Sequence, residues 1–304
     1  MQIRQLIYFV ALARERHFGR AAVACHVAQP TLSAGIKQLE ADLGVPLVER
    51  GRRFNGVTPE GQRVLEHAGR ILAECDTLRQ GLDEASHGLS GRLRLGVVPT
   101  ALPMVSQITA PYYVHYPQVI MTILSKTSVE IQHGIENYEL EAGITYLDNE
   151  PLEHVRARPL YAESYVFLTA SVGPFAGRST ISWQEAAQTP LCLLTPDMQN
   201  RRIVDGIFRS VGAVPVPAME TNSILNLCSH ASTGHWSSIV PAPLLRIFGL
   251  PVGTQALALT TPEVTRSVGL IIANREPASP LARSLFELEF PAPGLAAAWP
   301  GASR

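Results

Sequence analysis

The chain has 304 residues, 46% of them hydrophobic and 17% charged, with a net charge of −1. That length points to two or three units, and that balance fills real cores instead of leaving a disordered chain. No apolar run approaches the roughly 20 residues a membrane helix needs. The first 22 residues are apolar at helical spacing without a small-residue cleavage site, so a cytoplasmic protein with no membrane partner is expected. Cysteines 25, 75, 192 and 228 form no CxxC pair and have no histidine at zinc-finger spacing. They read as small buried hydrophobes, and neither a disulfide framework, a metal site nor a cofactor is expected.

The charge is unevenly spread. Residues 1–60 hold eight basic and five acidic side chains, a net +3, which leaves −4 for the other 244 residues. A basic head on a mildly acidic body suits a protein whose head alone meets phosphate.

In chain order, residues 5–16 place Leu6, Phe9, Val10, Leu12 and Ala13 on one helical face. A second short helix is expected over Phe18 to Cys25, with Ala21 and Ala22 small enough for close approach. A third starts near Pro30, carries the stripe Leu32, Ile36 and Leu39, and ends where Gly44 supplies a left-handed cap. This is helix-turn-helix patterning, in which the second helix offers its N-terminal end to the major groove. Gln29, Thr31, Ser33 and Ala34 point away from the apolar stripe. Gln pairs with adenine, and Thr or Ala can touch a thymine methyl. A strand over Val45–Arg50, a basic turn over Gly51–Gly56 and a return at Val57–Thr58 would make a two-stranded wing with arginines at its tip.

Residues 1–66 resemble the DNA-binding domain of the LysR-type transcriptional regulators. The resemblance is carried by Leu6, Phe9, Phe18, Ala21-Ala22, Val27-Ala28-Gln29-Pro30-Thr31-Leu32-Ser33, Ile36, Leu39-Glu40, Leu43-Gly44-Val45-Pro46-Leu47, Glu49-Arg50 and Thr58-Pro59-Glu60-Gly61. The DNA-contact candidates are Arg20, Gln29, Pro30, Thr31, Ser33, Ala34, Lys37, Arg50, Arg52 and Arg53. The chain departs from the family at Ala34-Gly35, where many members carry long polar side chains. A glycine there should also loosen the helix by up to ~1 kcal/mol.

Thr58-Pro59 opens a further helix, with Leu65, Ala68, Leu72, Cys75, Leu78 and Leu82 recurring at steps of three and four. The seam fits either a helix packed on its own domain or a dimer interface, and the resemblance implies the dimer. Residues 87–91 then break the helix as a hinge.

Beyond Arg92, strands alternate with helices: strands at Leu93–Val98, Val119–Leu124, Ala142–Thr145, Tyr165–Leu168, Leu191–Leu194, Ser238–Pro241 and Ser267–Ile272, and helices through Met104 and Ile108, over 129–138, 202–211, 223–232 and 280–289. This is an α/β pattern with parallel crossovers, whose ligands bind beyond the carboxyl ends of strands. The resemblance implies an effector domain like a periplasmic binding protein, with two lobes joined by strands crossing near 160–165 and 264–268. The expected layout is a winged helix-turn-helix (1–58), linker helix (59–87), hinge (88–91), lobe I (92–161 and 267–290), lobe II (162–266) and a frayed tail (291–304).

By the resemblance, Thr100, Thr127 and Ser128 occupy effector-contacting positions of lobe I. Thr195, Asn200, Arg201, Asn222 and His235 are the candidates across the cleft. Hydroxyls beside helix N-termini with an arginine opposite describe a receptor for a small anion, although helix capping uses the same residue types. Segments 49–58 and 194–202 are similar to members associated with formate dehydrogenase genes, which makes formate, or another small carboxylate, a candidate effector. Implied partners are double-stranded promoter DNA, further copies of the chain in a homodimer or homotetramer, and RNA polymerase.

Two other readings stand beside this one. An α/β enzyme would need a catalytic constellation, yet no GxSxG, HExxH, P-loop or post-strand GxGxxG occurs, and no catalytic residue is assigned. A redox-triggered regulator would pair Cys192 with Cys228, but no lysine or arginine adjoins Cys192 to lower its thiol pKa.

Overall fold

The computed structural model describes residues 1–49 and 54–290, and the side chains of all of these except 83–87. The expected wing tip (Arg50, Gly51, Arg52 and Arg53) and the tail 291–304 lie outside the described residues. The chain divides into two compact units, Met1–Gly88 with Asn137–Glu139, and Leu89–Glu136 with the residues from Leu140 onward.

The first unit begins with α1 (Ile3–Glu15), α2 (Phe18–Ala24) and α3 (Gln29–Leu43). α1 starts earlier than the apolar pattern alone implies, because the Gln5 side chain accepts the Gln2 N–H at 2.6 Å and closes the first turn. His17 caps α2, its Nδ1 accepting from the backbones of Gly19 and Arg20 at 3.1 and 3.3 Å. α3 ends at Gly44 with φ +73°. Leu6, Phe9, Leu12, Ala21, Ala22, Leu32, Ile36 and Leu39 form one buried core, which is the predicted stripe of all three helices.

Gly35 has a packing role that the sequence pattern does not reveal. A Cβ there would lie 2.6 Å from the Tyr8 ring, so glycine lets that ring lie flat against α3. The packing gained offsets the helix propensity lost.

At its described root the wing's pairing is shorter than expected. Among the described residues it is a single antiparallel bridge, Val48 to Val57, flanked by Glu49 N to Gly56 O (3.1 Å) and Thr58 N to Leu47 O (3.0 Å). Two causes shorten it. Pro46 has no N–H to give a ladder, and the N–H groups of Leu47 and Val48 donate instead to Glu40 Oε1 on α3, at 2.8 and 3.2 Å.

α4 (Pro59–His87) starts as predicted, with Thr58 Oγ1 accepting the Gly61 N–H at 2.9 Å. Its seam divides in two. Ala68 is buried in the head core and Leu65 and Leu72 pack against it, so the first half serves its own domain. Leu78 and Leu82, further along the same seam, are 65% and 64% exposed.

The second unit opens with β1 (Gly91–Val97), a 3-10 turn over Pro99–Met104 and α5 (Ser106–His115). The sequence pattern implies one continuous helix here. Pro103, which has no N–H, falls inside the 3-10 turn and separates the two pieces. There follow β2 (Val119–Ser125), α6 (Ser128–Glu136), β3 (Ala142–Tyr146), the long β4 (Val155–Ala170), β5 (Thr180–Ser182), α7 (Trp183–Ala186), β6 (Cys192–Leu194), α8 (Gln199–Ser210), β7 (Met219–Thr221), α9 (Ile224–Ala231), β8 (Ser238–Pro241), α10 (Ala242–Phe248), β9 (Thr254–Thr260), β10 (Thr265–Ala273) and α11 (Pro280–Glu287).

β2-β1-β3 is parallel, as the alternation implies, and β10 joins it antiparallel. The first part of β4 pairs with β10, and its last part pairs with β8 and β9. β4 therefore runs from one lobe into the other. The β4–β10 register slips between Val268 and Gly269. A Cβ at Gly269 would sit 2.6 Å from the Arg158 carbonyl oxygen, so this crossing tolerates only glycine. β5, α7, β7, α10 and β9 are additions to the expected layout. The strands among them that pair briefly, such as β5 and β7, are three residues each, too short to show a period in sequence.

Candidate functional site

On the head, α3 buries Leu32, Ile36 and Leu39 and leaves Gln29, Pro30, Thr31, Ala34 and Lys37 exposed, with Ser33 half-buried. The helix N-terminus carries no side-chain cap; Pro30 has no N–H, and the N–H groups of Thr31 and Leu32 turn to the Ala28 carbonyl at 3.0 and 3.2 Å. Arg20 is exposed as well, its Nη2 donating to the Glu15 carbonyl at 2.6 Å, so the guanidinium is held over the end of α1. Arg50, Arg52 and Arg53 lie outside the described residues.

In the second unit, the carboxyl ends of β1 and β3 face the first turn of α8. Thr145 Oγ1 donates to Gln199 Oε1 at 3.0 Å. Asn200 Nδ2 donates to the Tyr146 hydroxyl at 3.0 Å, which also meets Thr100 Oγ1 at 2.9 Å. Tyr146 in turn donates to Glu163 Oε1 at 2.5 Å. Beside them Arg202 makes a two-pronged pair with Glu150, at 2.6 and 3.0 Å, and reaches Ser128 Oγ at 3.1 Å. Asn200, Thr100, Ser128, Tyr146 and Glu163 are all buried.

Of the predicted effector residues, three come together at this junction: Thr100, Ser128 and Asn200. Thr127 caps α6 reciprocally with Glu130, its N–H donating at 2.8 Å and its Oγ1 accepting at 3.2 Å. Thr195 Oγ1 is buried without a partner among the described residues. Arg201 does not stand open across the cleft as expected. It bonds Asp205 and Glu220 at 2.8 and 2.6 Å, and the Leu194 carbonyl at 2.7 Å, so its charge is already neutralised. Asn222 and His235 are exposed, and the His235 ring lies 5.6 Å from that of Trp236.

Sequence reasoning misses Tyr146, Gln199 and the β4 trio Tyr161, Glu163 and Tyr165. A signal is present in that trio. Alternate positions of a strand share a face, so a carboxylate between two tyrosines two residues either side is an ionisable group aimed where the aromatic side chains go. Burial pushes the Glu163 carboxyl up to about 7, while the hydroxyls of Tyr146 and Tyr165 pull the other way. Burial, reinforced by the Glu163 charge, drives all three tyrosine hydroxyls well above their ordinary range, so they stay protonated.

The thiols bear on the redox alternative. Cys192 is buried and Cys228 half-buried, and burial raises both pKa values. Neither has the electropositive setting that creates a reactive thiolate.

Comparison with known proteins agrees with this architecture. Residues 3–62 match the bacterial regulatory helix-turn-helix protein, lysR family, and residues 86–288 match the LysR substrate binding domain. The chain is 30% identical over 288 residues to the DNA-binding transcriptional dual regulator OxyR of Escherichia coli K12, covering 94% of this chain and 93% of that protein. A full-length point variant of OxyR from Pseudomonas aeruginosa superposes with a TM-score of 0.74 at 26% identity, covering 94% of both chains. CbnR complexed with its target DNA superposes with a TM-score of 0.68 at 24% identity over 94% of this chain and 98% of that one, a likeness of fold. A helix-turn-helix head followed by a two-lobed α/β body, matched by both family models and by whole-chain relatives, has one assignment: the chain belongs to the LysR family of DNA-binding transcription regulators.

Proposed function

We propose that this regulator binds promoter DNA through the N-terminal end of α3 and the wing, and alters its grip when a small metabolite occupies the junction of Thr100, Ser128, Tyr146 and Asn200. The observation that carries the reading is the α8 first turn. It belongs to the proposed lobe II (162–266) yet hydrogen-bonds to β3 of the proposed lobe I (92–161 with 267–290), so a ligand seated there would bear on both lobes at once. The base-contact candidates are Gln29, Thr31, Ser33 and Ala34. Arg20, Pro30, Lys37 and the wing arginines 50, 52 and 53 are assigned to the backbone.

The outer half of the α4 seam, the half-buried Cys75 with the exposed Leu78 and Leu82, is the dimer contact, with a tetramer as the working assembly and RNA polymerase as a downstream partner. A small carboxylate is the effector class carried over from the sequence, with formate its simplest member. The protein acts in the cytoplasm and performs no chemistry. No helix among the described residues is long and apolar enough to cross a membrane.

The test is a gel-shift titration on the DNA upstream of the protein's own gene, at stated salt, with and without formate and other small carboxylates. Specific binding whose mobility or footprint changes with one of them is the expected result; absence of specific binding would sink the reading. Arg52→Ala should weaken binding to all sequences and lower the salt slope by ~0.9, one phosphate contact.

The redox reading has one supporting observation, the likeness to OxyR. Peroxide treatment followed by mass spectrometry separates the two, because buried high-pKa thiols should leave the thiol count unchanged.

A further inference from the structure

The buried polar cluster is incomplete as it stands. Glu163 is 0% exposed and Tyr165 5%. Glu163 Oε1 accepts from the Tyr146 hydroxyl, but among the described residues Glu163 Oε2 and the hydroxyls of Tyr161 and Tyr165 are buried without a hydrogen bond of full geometry, although the Tyr165 hydroxyl is near enough to Glu163 to draw its pKa down. Tyr161, Glu163 and Tyr165 are on one face of β4, and Tyr146 reaches them from β3. A fully buried polar atom without a partner costs about 1–3 kcal/mol, more for a carboxylate oxygen, and native structures leave few of them. Three on alternate residues of one strand face, with the Nε of Arg266 on the neighbouring strand also unpartnered, mark a polar cluster whose partners are incomplete.

The groups around Glu163 show which donor fits. From β3 comes Tyr146 and from β4 itself Tyr161 and Tyr165, all neutral hydroxyls. From β10, Arg266 is the register partner of Glu163, yet no ion pair joins them, and its charge is felt at Tyr165 instead. Thr100 and Asn200 are spent on Tyr146. No cation among the described residues therefore answers this carboxyl, and the rings beside it are the electron-rich faces that attract one.

We infer that the effector of this site presents a protonated nitrogen, an ammonium on a small molecule, to the free oxygen of Glu163, with the Tyr161 and Tyr165 hydroxyls available to its other polar groups. This rests on the ligand-sensing reading above and narrows it: a carboxylate alone leaves Glu163 unanswered, whereas a molecule with both groups, of the amino-acid class, satisfies the two.

The experiment is calorimetric titration of the full-length protein at pH 6 and pH 8 with methylammonium, glycine, formate and acetate. Each probe is run against the wild type, Glu163→Gln and Tyr161→Phe. Primary amines remain protonated at both pH values, so only the ionised fraction of Glu163 changes. An amine probe should bind about tenfold more tightly at pH 8, the ratio of ionised fractions for a group titrating at about 7. Glu163→Gln should weaken it at least about tenfold and remove the pH dependence, and Tyr161→Phe, which keeps the ring, should weaken it about fivefold. Amine binding that survives Glu163→Gln, or no amine binding, overturns the inference. If formate or acetate alone binds, and more tightly at pH 6, ligand sensing stands and the ammonium class falls. If no probe binds and operator mobility ignores all four, the ligand-sensing reading falls with it.

Discussion

The head and the body of this molecule place their candidate functional residues oppositely. In the head, one apolar core takes the buried stripe of α1 to α3, and the proposed DNA-facing residues are what remains outside. In the body, the candidate residues are inside, as a run of hydroxyls, an amide and a carboxyl between buried strands. A surface site can be altered without touching stability, and an interior one cannot. The head therefore separates folding from reading, while the body couples its stability to whatever fills its cluster.

The largest effect should come from the head core. Phe9→Ala removes a fully buried ring and should lower the stability of residues 1–88 by about 3–5 kcal/mol, measured by urea denaturation. An effect as large on the body's unfolding would show that the two units are not separate.

Next is the pH dependence of the body. Glu163 titrates at about 7 in the fold against an ordinary 4.5, so between those values the folded chain holds a proton that the unfolded chain has released. Stability is full below the ordinary value and is lost as pH rises through about 7. A change of that size corresponds to a few kcal/mol, on the order of 3. Glu163→Gln should flatten the denaturation midpoint between pH 5 and 8, and an unchanged slope would place the titrating group elsewhere.

Leu78→Glu with Leu82→Glu tests the exposed half of α4. Each leucine would bring roughly 1.5–3 kcal/mol of apolar burial to a dimer, so the double variant should sediment as a monomer while its melting holds. A drop in melting with unchanged mass would return that seam to its own domain. The smallest effect belongs to Gly35→Gln, which should cost about 1–3 kcal/mol by pushing the Tyr8 ring off α3. Adding Tyr8→Ala should recover part of that loss in a double-mutant cycle.

The contrast also sets what could be read from sequence. The head was legible nearly to the residue, because Leu32, Ile36 and Leu39 at helical spacing leave Gln29, Thr31 and Ala34 only the outer face. The parallel pairing of β1 with β2 and β3 followed from their alternation with helices, while the strand order did not. Thr100, Ser128 and Asn200, named from strand-end topology and resemblance, come together in the hydrogen-bonded junction. Arg201 was misjudged because its partners, Asp205 one helical turn on and Glu220 on a distant strand, are a matter of tertiary packing. Glu163 was missed for the converse reason: a lone acid in a strand normally reads as solvent-facing, and its burial against Tyr146 of β3 is a matter of tertiary packing.

Glu40 carries a consequence of another kind. By accepting the N–H groups of both Leu47 and Val48, this single carboxylate welds the root of the wing to the back of α3. A tilt of α3 would carry the root of the wing with it, and on the proposed DNA-binding reading base readout and backbone grip would become a single mechanical variable.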